Sequence, residues 1–365
     1  AALVLGNEIA AAAVVGVRRA DRPEPARLDD YFMLKSCTKP MTGYLAARVM
    51  QLAPKVAPNS SETFSWTTTI LDVFPELASL THPAYVGTTV AALMSHSSGM
   101  PIQPRTEPGD EFASISSDLR ERRFEYVKAA VQDEPEDPSP YSGGSIIVAA
   151  MMERIMGQSW EALMQQYVFD ELGMTNAGMG EAPYPPSTRA TASHSPSPNV
   201  PVPWTPPEDY AEQVHAPAGR NPHASVLDAA RLLAAQLPNV SNRPGLLETS
   251  HLLAMQANTW NGFTQGGWSA EVAQAGFSET FAHAGSDGHD HSLMKLYPYE
   301  DMGVVVMSNY LDENIGAVVP ELEAIKKYFA MVALYDADAA APKTATATNT
   351  YSDLRGYEAD KAVDG

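Results

Sequence analysis

The sequence predicts an α/β (α+β) protein in which strands from both ends of the chain enclose a helical insert. Alanine- and valine-rich segments at 1–5 and 8–17 are separated by Gly6-Asn7, a pair typical of a tight hairpin turn. The 365 residues exceed the roughly 250 to 300 at which one hydrophobic core stops growing, so two lobes or a domain plus an appendage are expected. Strand-like segments return late in the chain, at 280–284, 291–297 and 303–307.

The helices follow from the spacing of apolar residues. The first is expected to begin near Ser36, where apolar residues start to recur every three or four positions. Pro40 fits this start because a proline is tolerated in the first helical turn. The stretch 183–207 is rich in proline and lacks periodicity, so we expect a surface loop that flanks a cleft. Further helices are expected over 121–131, 146–156, 160–172, 225–237 and 320–334.

Composition and charge exclude several kinds of partner. The 24 basic and 44 acidic side chains give a formal charge of -20, which repels phosphate backbones, so nucleic acid is not an expected partner. No apolar run approaches the roughly 20 residues that a membrane span needs. The single cysteine, Cys37, excludes an internal disulfide and a multi-cysteine metal site. We expect Cys37 to be a small buried side chain rather than a nucleophile.

Ser36 and Lys39 have the spacing of a nucleophile and its base. A serine hydroxyl attacks a carbonyl only with a base within hydrogen-bond reach, and residues i and i+3 of a helix share a face. A lysine can serve as that base when burial lowers its pKa. The same spacing recurs at Ser292 and Lys295, but in a predicted strand these two side chains point to opposite faces. The sequence therefore favours the first pair.

Five segments resemble, in the same order, a known group of serine hydrolases. They are YFMLKSCTKPMTGYLAARVMQLA, LDVFPELA, TTVAALMSHSSGMP, YSGGSIIVAAMMERIMGQSWEALMQQYVFDELGMTNAG and FAHAGSDGHDHSLMKLYPYEDMGVVVMSN. The chain resembles the class C β-lactamase, DD-peptidase and family VIII esterase group of the serine β-lactamase/DD-peptidase superfamily from residue 1 to about 335. The resemblance implies a β-lactamase/transpeptidase-like fold, in which an antiparallel sheet flanked by helices meets an all-helical lobe with the active site between them.

The resemblance also assigns catalytic roles. It makes Ser36 the nucleophile, Lys39 its base, and Tyr141 the tyrosine that shares a proton with the lysine and helps to protonate the leaving group. The backbone N–H groups of Ser36 and Ser286 are implied to form the oxyanion hole. The turn around His96 matches a structural turn of the family, so no catalysis is expected there.

Two departures from the family pattern bear on the substrate. His283-Ala284-Gly285 stands where the family has Lys-Thr-Gly, so His283 and Gly285 are expected to bind substrate at the edge of the cleft. A histidine here is common in esterase-like members. The family usually has Tyr-x-Asn, whereas this chain reads Tyr141-Ser142-Gly143 and lacks the asparagine through a one-residue deletion. This loss weighs against β-lactam hydrolysis more than against ester hydrolysis.

The sequence thus predicts a serine hydrolase that forms an acyl-enzyme on Ser36 and needs no cofactor. A carboxylesterase acting on small-molecule esters is the leading expectation. A β-lactamase and a D-amino-acid peptidase or DD-carboxypeptidase, acting on β-lactams or D-amino-acid peptides, are the alternatives. A non-catalytic binding protein on the same scaffold is a further alternative because of the deletion after Tyr141. His289-Asp290-His291 contains metal-ligand residue types but has no evident third ligand nearby, so it is expected to form a lip of the cleft.

The predicted hydrolase domain spans 1–335. Its sheet lobe is expected to comprise 1–60 and 269–335, with residues 61–268 forming the helical lobe. An alanine- and threonine-rich linker is expected over 336–350.

The last residues, 351–365, end in AVDG and resemble the opening of discoidin-like, galactose-binding-like modules. This resemblance implies a truncated module, a carbohydrate contact and an exported parent protein; a disordered tail is the alternative. The chain has neither an initiator Met nor a signal segment. We therefore expect it to be a processed or excised portion of a secreted or periplasmic protein.

Overall fold

Strands from both ends of the chain meet in one antiparallel sheet, as the sequence predicts. In the computed structural model, the strands are β1 Ala2–Leu5, β2 Glu8–Ala12, β3 Val17–Arg19, β4 Arg22–Pro25, β5 Phe32–Met33, β6 His194–Ser195, β7 Val202–Pro203, β8 His223–Ala224, β9 Ser269–Glu271, β10 Thr280–Ser286, β11 His291–Tyr297 and β12 Met302–Ser308. Six of them form the main sheet in the order β2-β1-β12-β11-β10-β9. The first strand, β1, pairs with β12, the last strand of the described residues, and Ala2 lies opposite Val305.

The structure describes residues 1–104, 116–136, 142–180, 191–195, 201–204, 213–219, 222–238, 246–257, 262–271 and 279–310. Tyr141, the helix expected over 320–334, and the linker and module expected over 336–365 lie outside these residues.

The N-terminal hairpin is shorter than expected. Gly6 has a φ of 57°, which suits the tight turn between β1 and β2. The second strand was expected to reach residue 17, but it ends at Ala12. Gly16 follows with a φ of 90°, a conformation that interrupts an extended strand, and Val17 begins the separate hairpin of β3 and β4.

Along the chain, the described α-helices lie between β5 and β9. Their bounds are α1 Thr38–Gln51, α2 Ile70–Val73, α3 Val90–Met94, α4 Leu119–Ala130, α5 Gly144–Met156, α6 Trp160–Met164, α7 Asp170–Leu172, α8 Val226–Ala234 and α9 Thr249–Gln256. Several begin at a side chain that accepts a hydrogen bond from a backbone N–H of the first turn, which satisfies a donor that the helix leaves unpaired. These capping residues are Thr69, Thr89, Asp118, Ser159 and Ser225.

Helix α1 is the central helix of the molecule. Met41, Tyr44 and Leu45 are fully buried, as are residues on its other faces. The helix starts at Thr38, two residues later than expected, because a short 3-10 turn over Lys35–Cys37 precedes it. Strand β10 packs against this turn, and α5 and α9 pack against α1. The fold therefore places Ser36 where the sheet meets the helical part.

Two further expectations need correction. A single helix was expected over 160–172, but a π-helical turn at Gln165–Phe169 separates α6 from α7. No regular element was expected within 183–207, yet β6 and β7 lie in its described part and pair with each other. Each of these strands has only two residues, and the ladder is held by backbone hydrogen bonds. It therefore requires no periodic pattern of apolar side chains in the sequence. Within the described ranges, no helix is both long enough and apolar enough to cross a bilayer.

Candidate active site

Ser36 and Lys39 lie together at the start of α1. Ser36 belongs to the 3-10 turn, and Lys39 is the second residue of the helix, so the two side chains share a face. Lys39 Nζ lies 3.2 Å from Ser36 Oγ and donates a 2.7 Å hydrogen bond to the carbonyl oxygen of Ala218. The hydrogen bond to Ala218 thus holds the amine of Lys39 within reach of the Ser36 hydroxyl.

The environment of Lys39 suits a base. The residue is only 3% exposed, and burial lowers the pKa of its amine to about 7. At neutral pH a large fraction of the amine is therefore uncharged and able to accept a proton. An ordinary surface lysine would be almost fully protonated under the same conditions.

A cavity of about 320 Å³ opens over this pair. Apolar side chains form part of its lining, among them Ile102, Ile146 and Ala218. Its polar lining includes Ser36, Lys39, Ser142, His215, Ser286 and Asp287. The cavity is of the size that small-molecule sites have in proteins.

At Gly285, strand β10 lies directly against the 3-10 turn Lys35–Cys37 that contains Ser36. A Cβ at this position would lie 2.5 Å from the carbonyl oxygen of Leu34 and 2.6 Å from the backbone nitrogen of Ser36. The contact requires glycine, because real Cβ atoms do not approach so closely. The next residue, Ser286, lines the cavity. The strand thus brings Ser286 to the same side of the cavity as Ser36.

Gly219 makes a second close approach to the turn. It has a φ of 120°, and a Cβ there would overlap the carbonyl group of Lys35 and lie 2.7 Å from the nitrogen of Ser36. Ala218, the preceding residue, supplies the carbonyl that orients Lys39. The segment 213–219 therefore forms one wall of the site.

The Beta-lactamase family model matches residues 1–324. This chain belongs to the beta-lactamase family. The structure has the β-lactamase/transpeptidase fold, and the chain is accordingly a serine hydrolase of this family, as the sequence resemblance implied. A search of curated protein sequences gave no significant match.

Solved structures show the same fold at low sequence identity. A penicillin-binding protein homologue from Pyrococcus abyssi, described as octameric, is 16% identical with a TM-score of 0.64, over 85% of this chain and 68% of that chain. A class C beta lactamase from Rhodobacter sphaeroides is 18% identical with a TM-score of 0.62, over 86% and 90%. A D-amino acid amidase from Ochrobactrum anthropi is 20% identical with a TM-score of 0.63, over 90% and 92%.

In this beta-lactamase-family fold, His283 lies beneath the cleft surface rather than on it. The residue is 6% exposed, and the described cavity lining does not include it. Its Nδ1 lies 2.8 Å from the carbonyl oxygen of Ala284, and Nε2 has no hydrogen-bond partner within the described part of the chain. Burial, followed by the charge of Lys39, lowers the pKa of His283 to about 3. The ring is therefore neutral.

Cys37 is the small buried side chain that the sequence favoured, whereas the described cavity lining includes none of residues 289–291, so the cleft lip expected there stays a prediction. Cys37 is buried, its Sγ donates to the carbonyl oxygen of His283 at 3.2 Å, and burial raises the pKa of its thiol to about 12. The His289 ring stacks on Trp204 with 4.0 Å between centroids. Asp290 instead lies near Lys35. Among the described residues, no three His, Cys, Asp or Glu side chains are grouped to hold a metal ion.

Sequence reasoning gave no active-site role to His96. Its Nδ1 accepts a 3.0 Å hydrogen bond from the backbone N–H of Ser142, which precedes α5 and lines the cavity. Burial is the main cause that lowers the pKa of His96 to about 3, followed by electrostatic interactions with Lys39 and His283, so the ring stays neutral and can keep accepting this bond. The residue links the turn at 95–99 to the segment that continues from Tyr141.

No pattern in the sequence indicated a role in the site for Lys35 or Asp287. Both line the cavity, and Lys35 Nζ lies 2.7 Å from Asp287 Oδ2. The one available signal was their position in the sequence, since each is adjacent to a predicted oxyanion residue. The structure thus places Ser36, Lys39 and Ser286 around one cavity, and Gly285 packs against the backbone of Leu34 and Ser36. His283 and Gly285 are both buried and absent from the described cavity lining, so their expected contacts with substrate stay predictions, as does the role of Tyr141.

Proposed function

We propose that this chain is a carboxylesterase that hydrolyses esters of short to medium acyl chains through an acyl-enzyme on Ser36. One observation carries the proposal: a buried lysine with its pKa lowered to about 7 lies 3.2 Å from a serine hydroxyl at the floor of a cavity. A hydroxyl with a neutral amine within hydrogen-bond reach is an activated nucleophile.

The reaction has two steps. Ser36 Oγ bonds to the ester carbonyl carbon while its proton passes to Lys39 Nζ, and the negative charge collects on the carbonyl oxygen. The backbone N–H groups of Ser36 and Ser286 are proposed to stabilise this oxyanion. The carbon–oxygen bond to the alcohol then breaks, and the alcohol leaves with a proton. Tyr141 is the proposed carrier of that proton. Water then attacks the acyl carbon, the bond from this carbon to Ser36 Oγ breaks, the carboxylic acid leaves, and Ser36 Oγ recovers a proton.

The preference for esters rests on three features. The ring of His283 is neutral, so this position adds no positive charge where the family pattern has lysine. The asparagine of the family pattern is missing after Tyr141. Ile102, Ile146 and Ala218 give the cavity an apolar wall that suits an alkyl chain. An ester also has a better leaving group than an amide. Its hydrolysis therefore depends less on the lysine charge and the asparagine amide that this chain lacks.

D-amino-acid amides are the second candidate substrate class, and β-lactams are the third. The solved structures similar to this chain include proteins described as a D-amino acid amidase and as class C beta lactamases. A binding protein without activity is disfavoured, because burying the amine of Lys39 lowers its pKa and so opposes folding at neutral pH without serving a binding role.

Turnover of three substrates tests this proposal. The protein is incubated with p-nitrophenyl butyrate, with a chromogenic cephalosporin and with D-phenylalanine amide, and kcat/KM is compared. We expect the ester to be fastest and all turnover to vanish in Ser36→Ala. Ser98→Ala is the matched control, because Ser98 lies in the turn at 95–99 and its hydroxyl accepts a backbone hydrogen bond from Met100. Faster turnover of the amide or the cephalosporin would contradict the ester assignment.

A further inference from the structure

An ion pair spans the two segments that carry the proposed oxyanion donors. Lys35 directly precedes Ser36, and Asp287 directly follows Ser286. Lys35 Nζ lies 2.7 Å from Asp287 Oδ2, and the two side chains are 4% and 16% exposed. A second carboxylate, Asp290 Oδ2, lies 3.5 Å from the same amine. The helix side and the sheet side of the site are thus joined by charge immediately beside the two N–H groups.

The conformation of Lys35 is unfavourable for a lysine. Its φ is 49°, in the left-handed region that glycine occupies without penalty. Its ammonium group is also withdrawn from water, and a buried ion pair is often no more stabilising than an apolar pair of similar size. Neither the backbone conformation nor the buried ion pair therefore explains a lysine at this position through stability. The more informative property of Lys35 is the constraint that its ion pair places on the geometry of the site.

The carboxylate of Asp287 is fixed within its own turn. Asp287 Oδ1 accepts a 3.1 Å hydrogen bond from the backbone N–H of His289. Ser286 Oγ donates to the carbonyl oxygen of Asp290 at 2.6 Å and accepts from the N–H of Gly288 at 3.1 Å. These three hydrogen bonds connect Asp287 and Ser286 within the turn 286–290. A displacement of Asp287 is therefore expected to displace Ser286 as well.

Packing and charge limit the separation of the donors in opposite directions. Gly285 already touches the backbone of Leu34 and Ser36 so closely that it admits no Cβ, which prevents a closer approach. The ion pair between Lys35 and Asp287 resists movement apart, because separating two opposite charges in a buried site is unfavourable. Oxyanion stabilisation depends on donors that are held in place before the charge develops.

We propose that Lys35 and Asp287 form a clamp that fixes the distance between the backbone N–H groups of Ser36 and Ser286. Both are positioning residues for the oxyanion of the reaction proposed above, on which this inference rests. The clamp acts on the transition state, so it governs kcat and leaves the binding of uncharged ester largely unchanged.

Single and double variants test the clamp. Lys35→Met and Asp287→Asn are each expected to lower kcat for p-nitrophenyl butyrate about 10- to 100-fold, the size of effect expected when a catalytic geometry loosens. KM is expected to stay within about twofold. Lys35→Met leaves the carboxylates of Asp287 and Asp290 without their shared cation, whereas in Asp287→Asn the amine of Lys35 keeps Asp290 at 3.5 Å. Both variants are expected to lower Tm, and Lys35→Met is expected to lower it more. The double variant removes both charges of the pair but leaves Asp290 without its cation, so its Tm is expected to recover part of the loss seen in Lys35→Met while kcat stays low.

A boronic acid reports on the oxyanion site without turnover. The boron of n-butylboronic acid takes up Ser36 Oγ, the serine proton passes to Lys39, and the tetrahedral adduct presents an oxygen to the two N–H groups. Its affinity is expected to fall in the variants by the same factor as kcat/KM. Glu171→Gln is the matched control, because it removes a partly buried ion pair with Arg48, 2.8 Å long, at the far end of α1. This control is expected to change Tm but not kcat.

Several outcomes would overturn the clamp. Recovery of kcat together with Tm in the double variant would show that the pair serves folding alone. A higher KM confined to ammonium-bearing esters would make Asp287 a substrate-binding residue instead. Wild-type kcat in both single variants would also refute it. Failure of the wild-type protein itself to turn over the ester or to bind the boronic acid would overturn the proposed function, which is a separate result.

Discussion

At the scale of single residues, the activity of the site depends on the protonation state of Lys39, which its burial controls. The spacing of Ser36 and Lys39 was readable from the sequence, because i and i+3 positions share a helix face. The burial that lowers the pKa of Lys39 was not readable, since it comes from Ala218 and other residues far away in the chain. His283 shows the same limit: its place on β10 was predictable, whereas its withdrawal from the cavity depends on packing around it.

Activity is expected to rise with pH around neutrality. Lys39 acts as a base only when it is uncharged, and burial lowers its pKa to about 7, so kcat/KM is low below this pH and reaches a plateau above it. His96 and His283 have their pKa values lowered to about 3 and do not titrate in this range. The measurement is ester turnover between pH 5.5 and 9 (about two units either side of the lysine pKa).

Asp290 provides the control for this profile. Burial raises the pKa of its carboxyl to about 6, close enough to neutrality to contribute to the profile. In Asp290→Asn the midpoint near 7 is expected to remain. A midpoint that disappears with Asp290, or a rate independent of pH, would contradict the role of Lys39.

Removing the buried amine is expected to stabilise the protein while abolishing its activity. The unfolded chain keeps the Lys39 proton up to a pKa near 10.5, and the folded chain only up to about 7. Between these values the unfolded state binds more protons, so stability rises with pH, and the penalty is largest at or below pH 7. We expect Lys39→Met to raise the free energy of unfolding at pH 7 by roughly 1 to 4 kcal/mol, since one pKa unit is worth about 1.4 kcal/mol.

Urea unfolding at pH 7 and pH 10 measures this effect. The difference between Lys39→Met and the wild type is expected to shrink toward pH 10. A variant that is less stable than the wild type at pH 7 would show that the bond to the Ala218 carbonyl outweighs the penalty of burying the amine.

At the scale of helices and strands, the sequence predicted the elements better than their junctions. Periodicity placed α1, α5 and β11 correctly, because their apolar patterns extend over several turns or a full strand. It missed the π-helical turn at Gln165–Phe169, which changes the hydrogen bonding without changing the composition. It also missed the link between His96 and Ser142, because the two residues are 46 positions apart.

His96 is expected to matter for the element that follows it. In His96→Ala the buried N–H of Ser142 loses its acceptor at the approach to α5, and an unsatisfied buried group costs about 1 to 3 kcal/mol. We expect a loss of stability of this size together with a lower kcat, because Ser142 lines the cavity. Urea unfolding and ester kinetics measure both effects.

His96→Asn is the companion variant, since an amide oxygen can accept the same hydrogen bond. It is expected to recover part of the stability and part of kcat. Wild-type behaviour of His96→Ala in both assays would show that the bond to Ser142 has no part in shaping the site.

At the scale of the whole molecule, a buried charge network ties three helices to the cavity wall. Arg123 of α4 is fully buried; its Nη1 lies 2.5 Å from Glu153 of α5, and its Nη2 pairs with Glu161 of α6. Its Nε donates to the carbonyl oxygen of Val214, next to His215 of the cavity lining. No pattern in the sequence indicates this network, because its members come from four separate segments. The domain bounds, the module expected over 351–365 and the secreted or periplasmic location stay predictions.

Arg123→Met is expected to destabilise the fold by about 3 to 5 kcal/mol, because it leaves the buried carboxylate of Glu153 without its partner. The free energy of unfolding in urea measures the loss. Arg120→Met is the control, since Arg120 pairs with Asp118 at an exposed site on the same helix, and it is expected to change stability far less than Arg123→Met. Equal effects of the two variants would show that the buried network contributes no more than a surface pair.

The central claim is that Ser36 forms an acyl-enzyme, and mass spectrometry of the protein after rapid mixing with p-nitrophenyl butyrate tests it most directly. We predict one butyryl group per chain, located on Ser36 by peptide mapping, absent in Ser36→Ala and present in Ser98→Ala. In Lys39→Met, which keeps the hydroxyl and loses the base, the adduct is predicted to form far more slowly. Ester turnover without any adduct on Ser36, or an adduct that persists in Ser36→Ala, would contradict the account.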